Sequence, residues 1–139
     1  DGIEGPPASI EGLGFLDVET HLSAVKQLAN VKGKTVPDSL PVQGFEMHMG
    51  VTQGGGLIRP LIQLDDGRLD GAISLDGRVM GCYMHGFFAH DRQRAAWITR
   101  LGGHASGAPY EAGVDATLDA LAEHLERHLD LETLLSLAH

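Results

Sequence analysis

Short apolar-rich runs occupy roughly the first two thirds of the chain, one of them clearly alternating and Lys26–Val36 only weakly so, and a helical period marks the last third. The segment Val42-Gln43-Gly44-Phe45-Glu46-Met47-His48-Met49-Gly50 alternates most clearly. Val42, Gly44, Glu46 and His48 fall on one face. Phe45, Met47 and Met49 fall on the other, which is the apolar one. The pattern predicts a strand here, a short strand near Phe15–Val18 and another over Lys26–Val36, ending at Pro37. Pro37 and Pro41 bracket a turn, and Gly54-Gly55-Gly56 predicts a loop. Three short runs follow, Leu61–Leu64, Leu69–Leu75 and Arg78–Met84, separated by Asp66-Gly67 and Asp76-Gly77. Asp-Gly between strand-like runs predicts hairpins with positive φ at both central residues. The result is an antiparallel meander whose last strand delivers His85.

After Gly86 the period changes. Asp91–Leu101 predicts a helix with Asp91 as N-cap and Gly102-Gly103 as its stop. Residues 104–113 predict a loop. Val114–Leu137 predicts a helix burying Val114, Leu118, Leu121, Leu125 and Leu129, with a break near Asp130-Leu131-Glu132. Asp115 suits the positive N-terminal end of that helix. Strands first and helices last indicate α+β, or one half of an α/β domain.

The chain has 139 residues, enough for one compact domain. Its formal net charge is −9 and it has no Lys/Arg run. Phosphate backbones and anionic lipid would repel it, so neither nucleic acid nor membrane is an expected partner. No apolar stretch approaches the ~20 residues of a membrane span. Cys82 is the single cysteine and has no intramolecular disulfide partner. That matches a reducing cytoplasm. The opening Asp1-Gly2-Ile3-Glu4-Gly5-Pro6-Pro7 is linker-like and lacks signal-peptide features. A piece of a longer protein is the expected origin.

His85, at a strand end and followed by Gly86, is a candidate general base. The same pattern describes a hydrogen-bonded histidine at a strand end. Cys82 lies three residues away, on the opposite face of a regular strand, and is expected to be a buried, inert thiol. Glu46 and His48 share a face and are candidates for binding a substrate amine; a satisfied polar pair fits equally well. His124 and His128 are spaced to chelate from one helix face. Glutamate does not directly follow the first of them, as the zinc-protease helix motif requires, so no metal site is expected. Val51-Thr52-Gln53-Gly54-Gly55-Gly56 has no Gly-Lys-Ser/Thr ending and is read as a plain loop.

Several motifs in order carry a resemblance. Residues 44–50 resemble the Gly-Tyr-Glu-Ile-His-Met-Gly motif of the cobyric acid synthase family, and residues 81–88 resemble its Gly-Thr-Tyr-Leu-His-Gly-Leu-Phe segment. The stretch Gly12-Leu13-Gly14-Phe15-Leu16-Asp17-Val18-Glu19-Thr20 is similar to one between the family's nucleophile region and its glutamate–histidine motif. Arg94-Ala95-Ala96-Trp97 and Val114-Asp115-Ala116-Thr117-Leu118-Asp119 resemble its C-terminal end. The resemblance implies an open α/β sheet of the triad-type (class I) glutamine amidotransferase. Residues 1–139 would be the C-terminal part of that domain, an antiparallel meander followed by two helices, without the nucleophile half or the synthetase domain.

It further implies a glutamine-hydrolysing amide ligase of cobalamin synthesis that amidates carboxylates of adenosylcobyrinic acid a,c-diamide. On this chain the family's catalytic histidine corresponds to His85, and Glu46 and His48 would lie near the glutamine pocket. The elbow cysteine would precede Asp1; Cys82 stands where the family has threonine. The piece alone is therefore expected to be inactive. The family's departure from the usual triad puts Phe87 where a glutamate would stand, which implies a cysteine–histidine dyad and leaves the group that orients His85 unassigned. No cofactor is expected in this piece; ATP and magnesium would belong to the synthetase domain, as would the corrinoid substrate. A related cobyrinate or peptidoglycan-precursor amidating enzyme, a binding module that kept the fold without catalysis, and a histidine-dependent metal binder are the competing readings. If half the sheet is missing, self-association through an exposed sheet edge or apolar face is expected.

Overall fold

The computed structural model describes residues 3, 5–107 and 109–138. Seven strands precede three helices: β1 Glu19–Thr35, β2 Pro41–Gln53, β3 Ile62–Leu64, β4 Leu69–Asp70, β5 Ala72–Ile73, β6 Met80–Gly81, β7 Met84–His85, α1 Asp91–Arg100, α2 Tyr110–His128 and α3 Leu131–Leu137. The main sheet has the order β4-β3-β1-β2-β7, and β5 with β6 forms a separate ribbon. Every recorded pairing is antiparallel. The architecture is the expected α/β class, a meander followed by helices.

The long β1–β2 pair is the frame. Its alternation gives each strand one inward and one outward face. A large bulge interrupts it between Leu22 and Gln27, where Ser23, Ala24, Val25 and Lys26 oppose the single residue Met49. Val31, Val42, Leu61, Ile62, Leu64, Met84 and Phe87 form the core, with Trp97 of α1 packed on its margin. Full burial of one such aliphatic side chain is worth roughly 1.5–3 kcal/mol, so this small cluster is the main apolar contribution to stability.

Several expectations are corrected. Residues 14–17 form a bend and Val18 is irregular, not a strand; the Asp17 carbonyl accepts the Gly56 amide at 2.8 Å, so this segment is held by the glycine turn and not by a ladder. The two Asp-Gly turns place only glycine at positive φ, Gly67 at 88° and Gly77 at 69°. Loops longer than two residues combine an ordinary turn with a left-handed glycine, and the aspartates instead accept backbone amides, Asp66 from Arg68 at 2.9 Å and Asp76 from Arg78 at 3.1 Å. The runs Leu69–Leu75 and Arg78–Met84 each split, at Gly71 and near Cys82, because Gly71 turns the chain at φ 78° against the carbonyl of Gly81. Asp91 does not cap α1. His90 holds that position, and the Asp91 carboxylate takes the Tyr110 amide at 2.9 Å and Arg94 at 2.6 Å.

The C-terminal helices follow the expected period but not the expected burial. Helix α2 starts at Tyr110, and its stripe of Val114, Leu118, Leu121, Leu125 and Leu129 stays exposed. The break before α3 is real: Asp130 caps the last helix, accepting the Thr133 amide at 3.1 Å.

Candidate functional site

Strand β2 carries both candidate regions, on opposite faces. Antiparallel partners share a face. Phe45 pairs with Asn30 and His85, and Met47 pairs with Leu28. These side chains therefore form one open face: Leu28 is 65% exposed, Met47 46% and Phe45 40%. The His85 ring stacks flat on Phe45, with centroids 4.9 Å apart and planes 6° apart. Gly44 and Gly86 make this possible. A side chain on Gly44 would overlap the His85 carbonyl oxygen. Gly86 reverses the chain at φ 84° directly after the histidine.

Glu46 and His48 lie on the other face. Glu46 is buried, 3% exposed. Arg68 reaches it with both terminal nitrogens, Nη2 to Oε1 at 2.9 Å and Nη1 to Oε2 at 3.1 Å. Gln27 Nε2 donates to Oε1 at 3.4 Å. The Arg68 hydrogen bonds hold the Glu46 carboxyl below its ordinary value, against the opposing effect of burial. His48 Nδ1 lies 2.8 Å from the Gly50 carbonyl, so this nitrogen carries the proton. Its ring stacks on Tyr83 at 3.7 Å, and Tyr83 joins a hydroxyl chain through Thr52 to Thr20. The sequence candidates thus divide: Glu46 and His48 stay together inside, while His85 stands apart on the open face.

Two residues not singled out by sequence complete the arrangement. Arg68 neutralises Glu46, and the buried Asp70 carboxylate accepts the Tyr83 amide at 3.0 Å and the Met84 amide at 3.1 Å. Strands β4 and β7 are at opposite edges of the sheet. A flat sheet would separate them by about 19 Å at ~4.8 Å per strand. The β5–β6 hairpin bridges them: its register, Ala72 opposite Gly81, places Asp70 opposite Tyr83. An acidic residue inside the apolar run Leu69–Leu75 was the available signal for Asp70.

Cys82 packs on the core margin. Burial, reinforced by the Asp70 charge, pushes its thiol up to about 11, so it is protonated near neutral pH. The chain bends between β6 and β7, so strict strand alternation does not apply there; Cys82 is nevertheless directed to the core margin while His85 is on the open face. Phe87, two residues after His85, is a core anchor, edge-on to Phe88 at 5.0 Å and to Trp97 at 6.3 Å. The His124 and His128 rings are 4.4 Å apart on α2. Among the described residues, no group of three or more His, Cys, Asp or Glu could hold a metal ion, and no helix is long and apolar enough to cross a membrane.

The family model of the CobB/CobQ-like glutamine amidotransferase domain matches residues 1–93. Cobyric acid synthase of Methylobacterium nodulans is 56% identical over 137 residues, covering 99% of this chain and 28% of that protein. Cobyric acid synthase of Methylorubrum populi is 54% identical over 136 residues, covering 98% of this chain and 28% of its own length. That of Bradyrhizobium sp. strain BTAi1 is 50% identical over 138 residues, covering 99% and 28%. The chain spans 28% of the length of these curated relatives.

Proposed function

This chain belongs to the CobB/CobQ-like glutamine amidotransferase family, and from that premise we propose that it supplies the catalytic histidine, His85, to a glutamine-hydrolysing amide ligase of the cobyric acid synthase type. The observation that carries the reading is an accessible imidazole on an apolar sheet face, stacked on Phe45 and free of the polar cluster on the other face.

In the proposed reaction a cysteine outside this chain lies against that face. His85 takes the thiol proton, and the thiolate attacks the side-chain amide carbon of glutamine. The histidine then protonates the departing ammonia, leaving a thioester that water hydrolyses to glutamate. Ammonia passes to a synthetase domain, where ATP with magnesium activates corrinoid carboxylates, those of adenosylcobyrinic acid a,c-diamide, for amidation. Cys82 has no place in this sequence of steps, since a buried thiol that stays protonated is a poor nucleophile. Glu46 and His48 lie on the sheet face opposite His85, with Glu46 paired to Arg68.

The test is glutamine hydrolysis by the complete gene product that contains this chain. His85→Ala should lower turnover by about 100-fold or more, while Cys82→Ser should leave it near wild type. The chain on its own should release no ammonia from glutamine. Retained turnover in His85→Ala, or loss in Cys82→Ser, overturns the assignment.

A further inference from the structure

We propose that Asp70 is a positioning residue for His85, its carboxylate holding the two peptide groups that lead into the histidine. This rests on the reading of His85 as the catalytic histidine. Strand β7 is an edge strand of two residues, and its recorded ladder is confined to β2, through Phe45↔His85 and Glu46↔Met84. So short a ladder is a weak restraint by itself. After the histidine the chain turns at Gly86, φ 84°, before Phe87 re-enters the core.

The restraint on the preceding side is Asp70. Tyr83 N donates to Oδ1 at 3.0 Å and to Oδ2 at 3.2 Å, and Met84 N donates to Oδ2 at 3.1 Å. Charge-assisted bonds to successive amides fix both position and direction of the peptide planes. The carboxylate is itself fixed, because the Asp70 carbonyl accepts the Leu61 amide at 3.1 Å and its backbone pairs with Ile62, which is fully buried. Asp70 thus links the core strand β3 to the residue before His85. A ring that must meet a thiol on a separate segment depends on such a restraint, since displacement by about 1 Å costs on the order of 100-fold in rate.

The experiment uses the complete gene product and compares wild type, Asp70→Asn, Asp70→Ala and His85→Ala. Asparagine keeps one carbonyl acceptor, so it should retain part of the restraint. The expected order of kcat for glutamine hydrolysis is wild type, then Asn, then Ala, with a loss on the order of 10- to 100-fold for alanine and little change in KM. In Asp70→Asn the Tyr83 and Met84 amides should exchange hydrogen faster, and the His85 ring protons should lose part of the shift caused by Phe45 stacking. A fall in kcat with unchanged ring shifts and unchanged exchange at those amides overturns the proposal, as does wild-type kcat in Asp70→Ala. If His85→Ala remains active, the functional reading fails; the Asn-variant exchange and ring shifts then still decide whether Asp70 positions the histidine.

Discussion

The two faces of β2 differ in a way opposite to the usual expectation. The inward face carries a carboxylate and an imidazole, Glu46 and His48, and the outward face carries Phe45 and Met47. Burying Glu46 is tolerable because Arg68 meets it with two nitrogens and Gln27 adds a third donor. Leaving Leu28, Phe45 and Met47 in the open is not explained by anything within the described residues. The inner face has its carboxylate paired within the chain, whereas the outer face leaves apolar side chains beside His85 in solvent.

The seam between the faces is where the comparison breaks most easily. Gly44 sits inside β2 with the His85 carbonyl directly above it. Gly44→Ala should force β2 and β7 apart, costing about 3 kcal/mol or more and removing the Phe45–His85 stack. A urea melt would read the first effect and the His85 ring-proton shifts the second. Wild-type values in both would show that β7 adapts freely and is not seated by the glycine.

The inner face predicts a smaller, pH-dependent effect. Arg68→Ala leaves a buried carboxylate with only Gln27 and His48 nearby. Its guanidinium side is half exposed, so the cost is discounted from that of a fully buried pair to about 2 kcal/mol. The Glu46 carboxyl is held below its ordinary value of 4.5. The ion pair therefore contributes its full stability above that value and loses it as pH falls through the depressed one. Thermal melts between about pH 6 and about pH 3 should show a steep acid decline in wild type and a shallower one in Glu46→Gln. Parallel curves would mean that Glu46 is not ionised in the fold.

The outer face predicts a separation of stability from association. Leu28 and Met47 pair across the two strands but remain largely in solvent. Replacing both with serine should change the stability of the isolated chain by less than about 1 kcal/mol. The isolated wild-type chain should self-associate at high concentration and the double variant should not, as sedimentation velocity would show. A monomeric wild type would remove the argument that this face requires a cover.

Much of this was legible from apolar runs, turn residues and helix-end signals. The β1–β2 pair, the turns at Asp66-Gly67 and Asp76-Gly77, α1 and the break near Asp130 all follow from periodicity and turn chemistry. Alternation also separated Glu46 and His48 from Phe45 and Met47, but it could not say which face is inside. The usual rule buries the apolar side; here Arg68, distant in sequence, neutralises Glu46 and makes the polar side buriable. The Asp70 clamp was hidden for a related reason. It depends on the register of the β5–β6 hairpin, which places Asp70 opposite Tyr83, and alternation within either run does not give that register. The split of the meander at Gly71 was hidden because a glycine in a strand pattern marks a bend only when another backbone crowds it, as the Gly81 carbonyl does.

Helix α2 provides the smallest expected effect and a control for the sheet. It has a leucine stripe at correct spacing, yet none of its described residues is buried. Its stability in this chain rests on local terms, such as the Glu123–Arg127 pair at 2.7 Å, each worth a few tenths of a kcal/mol. Leu118→Gln, at a position 56% exposed, should therefore shift the urea midpoint by no more than about 0.5 kcal/mol equivalent. The same substitution at Leu64 in the core should destabilise by several-fold more, about 3 kcal/mol. If Leu118→Gln costs as much as the core substitution, α2 is packed against the sheet in solution, and the contrast between a self-sufficient inner face and uncovered outer surfaces would have to be redrawn to exclude this helix.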